Sequence, residues 1–111
     1  MKKAYRVKKS AEIEMIMKNK SSVGDGYFVI YQKQNHENEH FRYAISVPKK
    51  YGNAVQRNLI KRRIREIIKN HSFLKQMDFF IVSKSKAKEL SFQEINQTLE
   101  KLFARAKIIE G

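Results

Sequence analysis

Between Glu39 and Glu66 the chain carries no acidic residue, and that interval holds Arg42, Lys49, Lys50, Arg57, Lys61, Arg62, Arg63 and Arg65. Eight cations with no carboxylate among them repel one another, and a polyanion relieves the repulsion. A nucleic-acid backbone is the natural candidate, because cations that neutralise its phosphates release condensed counterions. The bland alternative is a solvated charged face. It suits lysines mixed with glutamates better than an acid-free run.

A second set of residues could do different chemistry. His36-Glu37-Asn38-Glu39-His40 matches H-E-x-x-H, the zinc-hydrolase pattern. The pattern works on a helix, where positions i and i+4 put both imidazoles on one face. Here it lies in the polar stretch from Lys33 to His40, with no apolar stripe to bury a helix, so a solvated loop is expected. The acids Glu12, Asp25, Asp78 and Glu94 are scattered and show no two-metal spacing, and Asp25 and Asp78 read as turn residues. Cysteine is absent, which excludes disulfides and thiolate zinc sites. No residue of the chain is assigned a catalytic or metal-ligating role.

The elements that position these residues follow from local pattern. The 111 residues suit one domain, residues 1–111, with one core. The 41% hydrophobic content is enough to pack it, and 24 Lys and Arg against 11 Asp and Glu leave a formal charge of +13. The basic N-terminus has no apolar run behind it, and no stretch is long and apolar enough for a membrane span, so a cytoplasmic protein is expected. Residues 1–9 read as an extended basic lead-in. Ser10 reads as the N-cap of a short helix ending near Asn19, and Ser21–Gly26 as a polar turn region. Tyr27–Tyr31 and Phe41–Val47 are strands by composition, the second with Phe41, Tyr43, Ile45 and Val47 inward. The polar loop between them predicts an antiparallel hairpin.

Pro48 closes the second strand, and Asn53 with Gln56 predicts a capping box opening a long helix to about Asn70. Phe79–Ser83 is a third strand. Ser91 with Glu94 opens a last helix whose buried stripe is Ile95, Leu99, Leu102, Phe103 and Ala106. On the long helix, Ile60, Ile64, Ile67 and Ile68 share one arc, while Asn58, Lys61, Arg62, Arg65 and Lys69 share the next, with Arg57 at the border. Guanidinium forks suit phosphate, and Asn58 offers both a donor and an acceptor.

Lys50-x-Gly52-x-Ala54-Val55-x-Arg57-Asn58-x-x-Lys61-Arg62-x-x-Arg65 resembles the signature of the protein subunit of bacterial ribonuclease P, and the likeness extends over nearly the whole chain. The resemblance implies an α+β, single-domain sandwich, with three helices on a mixed, mainly antiparallel sheet. It also implies a left-handed crossover from Val47 to Phe79, against the right-handed preference of ~98% in general. It implies an endoribonuclease only as a holoenzyme, in which a catalytic RNA holds the Mg2+ ions and removes the 5′ leader from precursor tRNA. The implied partners are that RNA and precursor tRNA, with neither a membrane nor an obligate protein partner. Carried over by position, the RNA-binding set is Lys50, Arg57, Asn58, Lys61, Arg62 and Arg65. A leader cleft between the first helix and the open sheet face would be lined by Ile13, Met17, Tyr31 and Arg42. The family usually has phenylalanine where Ile13 and Met17 stand, and aliphatic chains lack the ring stacking worth ~1–3 kcal/mol per base. Ordinary core is the other reading of those two residues. Two further classes compete: a structural, ribosomal-type RNA-binding protein, and a metal-dependent hydrolase built on the histidine motif.

Overall fold

The apolar run Phe79-Phe80-Ile81-Val82 decides the topology. A strand that is apolar on both faces belongs inside a sheet covered on both sides. In the structure, a computed structural model describing residues 3–110, Phe79 and Ile81 are fully buried and Phe80 is nearly so. The elements are α1 (Ser10–Lys18), β1 (Ser22–Gly24), β2 (Phe28–Gln34), β3 (Arg42–Ser46), α2 (Ala54–Lys69), β4 (Met77–Ser83) and α3 (Phe92–Ala106). Short 3-10 turns cover Lys3–Tyr5, Lys49–Tyr51 and Ser85–Glu89. The sheet order is β1-β2-β4-β3, with β4 antiparallel to β2 and parallel to β3. The expected hairpin of β2 with β3 is therefore absent, because β4 takes the place between them.

The two faces of the sheet carry separate cores. On one, α2 and α3 pack Ile60, Ile64, Ile67, Ile68, Leu99 and Phe103 against the sheet residues Phe28, Ile30, Tyr43, Phe79 and Ile81. On the other, Ile16 of α1 and Val7 of the lead-in pack on Ala44 and Phe80. Strand β3 serves both: Tyr43 and Val47 are buried as expected, Phe41 and Ile45 pack half-buried beside them, and Ala44 is buried on the far side. Both expected capping boxes form, at Asn53/Gln56 and at Ser91/Glu94.

Three local expectations need correction. Helix α1 begins at Ser10 itself: Lys9 is the N-cap, its carbonyl accepting the N–H groups of Glu12 and Ile13, and its ammonium, a donor without an acceptor, makes no side-chain cap. The turn region Ser21–Gly26 contains β1, which pairs back onto β2. Asp25 closes that turn by accepting the N–H groups of Tyr27 and Phe28 at 2.8 and 2.9 Å. Asp78, expected at a turn, is instead 3% exposed at the start of β4.

Burial of that carboxylate is offset by four donors. Arg42 grips it through Nε at 3.1 Å and Nη2 at 2.8 Å, while Asn38 and Asn35 donate at 2.7 and 3.2 Å. The same Arg42 Nη2 lies 2.6 Å from Glu12 of α1. The Arg42 guanidinium thus ties β3, β4 and α1 together, and the Asp78 carboxylate adds Asn35 and Asn38 of the loop before β3. Burial works to raise the pKa of Asp78, but the hydrogen bonds from Arg42, Asn38 and Asn35 outweigh it and hold the pKa below the ordinary value. A lowered folded pKa contributes stability that is fully present above the unfolded value of about 3.9 and is lost as pH falls through the folded value. Urea melts at successively lower pH should therefore show an acid limb that is smaller in Asp78→Asn. The variant should also lose on the order of 2–3 kcal/mol at neutral pH, as a hydrogen-bonded buried charge is removed. An acid limb of undiminished size would mean that other carboxylates carry it.

Candidate nucleic-acid interface

The basic helix is aimed by the turn before it. After Pro48, the Lys49–Tyr51 turn buries Tyr51 and leaves Lys49 and Lys50 exposed. Asn53 Oδ1 then accepts the N–H of Gln56 at 2.9 Å, and Gln56 Oε1 accepts the N–H of Asn53 at 3.0 Å. A Cβ on Gly52 would overlap the Gln56 carboxamide, so glycine leaves the room that the cap needs. The first turn of α2 is fixed before any cation on it is placed.

Below the cap, the four isoleucines lie in the core, each at most 2% exposed. The adjoining arc faces outward. Lys50, Asn58 and Arg62 are exposed, and Arg57, Lys61 and Arg65 are half-buried along the flank. Among the described residues none of these cations is ion-paired, and Arg57 Nε is buried without a hydrogen-bond partner. The structure thus places Arg57, Asn58, Lys61, Arg62 and Arg65 along one flank of α2, with Lys50 exposed on the turn before it. Arg42 is the exception in the acid-free interval. Asp78 and Glu12 compensate its charge, and the Asp78 hydrogen bond foremost raises its pKa against the opposing effect of burial.

The surface also gains Arg6, which the sequence offered only as part of a basic lead-in. Arg6 forms a β-bridge with Tyr43 on the edge strand. Burial raises the pKa of the Tyr43 hydroxyl, opposed by the charges of Arg6 and Arg65. Those two cations therefore act on the same buried phenol, one from the lead-in and one from α2.

The opposite face of the sheet holds the second predicted group. Ile13 and Tyr31 pack half-buried on the small core of Val7, Ile16, Ala44 and Phe80. The ring of Tyr31 stacks against that of Phe80 with centroids 6.2 Å apart. Met17 is 42% exposed and lies outside that core. A cavity of about 440 Å³ opens beside Arg42, with Glu12, Met15, Lys33 and His36 in its wall. Sequence reasoning missed Phe80 and Val82 on this face. The alternation along β4, with Phe79 and Ile81 turned to the other side, was the signal that could have found them.

The histidine motif forms a turn and bends rather than a helix. Asn35 Oδ1 accepts the N–H of Glu37, Gln76 Nε2 donates to the His36 carbonyl, and His40 stacks on Tyr5 at 4.0 Å. The two imidazoles are not brought onto one helical face. Among the described residues, no three His, Asp or Glu side chains converge where a metal ion could be held.

Comparison with known proteins agrees with this geometry. The family model Ribonuclease P matches residues 1–107. The ribonuclease P protein component of Macrococcus caseolyticus is 48% identical over 109 residues, covering 96% of this chain and 94% of that protein. Among solved structures, the RNase P protein of Staphylococcus aureus superposes with a TM-score of 0.87 at 41% identity, covering 97% of this chain and 100% of that one. That of Thermotoga maritima superposes with a TM-score of 0.81 at 28% identity, covering 96% and 98%. With a basic helix built on this sheet and a family match over nearly its full length, the chain belongs to the ribonuclease P protein family.

Proposed function

We propose that the chain binds the catalytic RNA of a ribonuclease P holoenzyme through α2 and the turn before it. On the far side of the sheet it holds the 5′ leader of precursor tRNA. The observation that carries this reading is the unpaired cationic arc beside a buried isoleucine arc on one capped helix. Lys50, Arg57, Lys61, Arg62 and Arg65 supply phosphate contacts, and Asn58 supplies a directional amide among them. The leader, being unpaired, can lay its bases on Tyr31 and the apolar ground around Ile13. Magnesium ions held by the RNA would supply an activated water for phosphodiester hydrolysis. The chain's own residues bind and orient. No described helix is long and apolar enough to cross a membrane, and we place the protein in the cytoplasm, where tRNA precursors are made.

The test of the whole reading is cleavage of precursor tRNA by protein alone, RNA alone and both together, each with magnesium. Mature 5′ ends should form with RNA present and form faster, or at lower salt, with both. Cleavage at that position by RNA-free protein would sink the proposal. Copurification with ribosomal RNA instead of a catalytic RNA would favour a structural ribosomal role.

Within α2, the two arcs should separate cleanly on mutation. Arg57→Ala, Lys61→Ala and Arg65→Ala should each weaken RNA binding while changing stability by about 0.5 kcal/mol or less. Each should also flatten the plot of log affinity against log salt by roughly 0.7–0.9. Ile64→Ala should instead cost about 2–5 kcal/mol of stability through a core cavity. Parallel melting and RNA titration of the four variants decides it, and equal destabilisation of all four would make the cations structural.

On the other face, Tyr31→Ala should weaken precursor tRNA binding by the equivalent of about 1–3 kcal/mol and leave mature tRNA nearly unaffected, since only the precursor has unpaired bases to stack. Met17→Ala should have a smaller effect of the same kind. Titrating both tRNA forms against the holoenzyme checks it, and an equal loss for both forms would remove the leader from this face.

A further inference from the structure

The other flank of α2 ends in a cavity that the cationic arc does not use. It measures about 300 Å³ and lies between α2, the Ser85–Glu89 turn and the start of α3. That size is at the lower end of the range of about 300–1,000 Å³ in which small ligands are held. Its floor is apolar, from Tyr51, Ile60 and Ile95, and its rim carries Gln56, Arg63 and Lys88. Among the described residues no carboxylate lines it. Glu94, the acid on the neighbouring helix turn, accepts the Ser91 N–H at 2.9 Å in the α3 capping box, and Glu89 is exposed outside the lining.

Two further observations say what kind of ligand fits. Leu59 on the rim and Phe92 beside it are 44% and 43% exposed, so an aliphatic side chain and an aromatic ring stand open next to the apolar floor. The Arg63 guanidinium lies 5.8 Å over the Phe92 ring, and among the described residues it has no ion pair. Cations without acids select an anion, and an exposed ring beside an apolar floor selects a flat, weakly polar group. An unpaired nucleotide joins the two in one ligand. The cavity also adjoins the proposed RNA surface, since its floor residue Tyr51 lies between Lys50 and Gly52 of the motif turn.

We propose that this cavity is a second RNA site, taking one unpaired nucleotide with its base against Leu59 and Phe92 and its phosphate on Arg63 and Lys88. The proposal rests on the RNA-binding reading above and extends it to the far flank of α2. An unpaired base, rather than a duplex, is required because both faces of a paired base are already stacked.

The experiment titrates the full chain with ribonuclease P RNA across a salt series, and maps unpaired nucleotides of the complex with a base-reactive probe. Phe92→Ala should bind about 5–160-fold more weakly with an unchanged salt slope, because stacking releases no counterion. Lys88→Gln should weaken binding and flatten the slope by about 0.7–0.9. Both should expose the same one or two nucleotides to the probe. Lys101→Gln, an equal charge loss on the exposed side of α3, should leave those nucleotides protected. If Phe92→Ala melts well below the parent, Phe92→Leu keeps the apolar volume without the ring and gives the same readout. Parental affinity and protection in the Phe92 and Lys88 variants, with Arg57→Ala still defective, would overturn the second site and leave the first standing. So would a Lys101→Gln effect indistinguishable from that of Lys88→Gln. A parent chain that binds no ribonuclease P RNA at all would instead overturn the reading on which the site rests.

Discussion

Burial of four isoleucines holds in place a helix whose other face pushes itself apart. Arg57, Lys61, Arg65 and Lys69 follow one another at four-residue spacing along α2. Like charges at that spacing cost a few tenths of a kcal/mol per pair. Ile60, Ile64, Ile67 and Ile68 are all buried, and each contributes about 1.5–3 kcal/mol. The core term wins by a wide margin, so the helix folds with its charge unrelieved. The Asn53/Gln56 box adds to that margin at the end where the cations begin. A polyanion then meets a surface whose geometry is already set and whose repulsion it removes.

A different logic governs the opposite face. There the cation is spent internally: Arg42 binds Asp78 and Glu12, and in doing so it seats α1 on the sheet. Arg42, which the family resemblance places in a leader cleft, is thus a clasp that joins α1 to the sheet. What remains for a single strand on this side is mainly apolar, Ile13 and Tyr31 over Phe80. Such ground favours bases, while the α2 arc favours phosphates. On the proposed reading, the two surfaces would therefore meet different parts of a nucleic acid.

How legible this was in the sequence depended on distance along the chain. Both capping boxes are contained within four residues, and both form as their local pattern predicts, as does the isoleucine arc. The sheet order was not. Strands adjacent in sequence usually pair, and β2 and β3 are joined by a polar loop that suggests a turn. Only the two-sided burial of β4, some thirty residues onward, displaces that pairing, and the apolar run Phe79-Phe80-Ile81-Val82 marks a strand without saying locally what covers its second face. The partnership of Arg42 with Asp78 spans 36 residues and left no local trace. An acid at the start of an apolar strand looks like a turn residue until the arginine that neutralises it is placed beside it.

Strand β3 is where the two faces meet. Ala44 contributes to the core under α1 and Tyr43 to the core under α2, while Val7 of the lead-in donates its N–H to the Tyr43 carbonyl at 2.7 Å. Arg65 from α2 and Arg6 from the lead-in act on that same tyrosine. On the proposed reading, an RNA along the α2 arc and a single strand on the α1 side would approach each other across one edge strand rather than through the body of the protein. The edge is covered there by backbone hydrogen bonding to the lead-in and flanked by arginine, two of the ways a sheet edge is kept from pairing with another chain. The same features leave the rim between the two faces positively charged, so that a nucleic acid crossing it as proposed would meet cations rather than a gap.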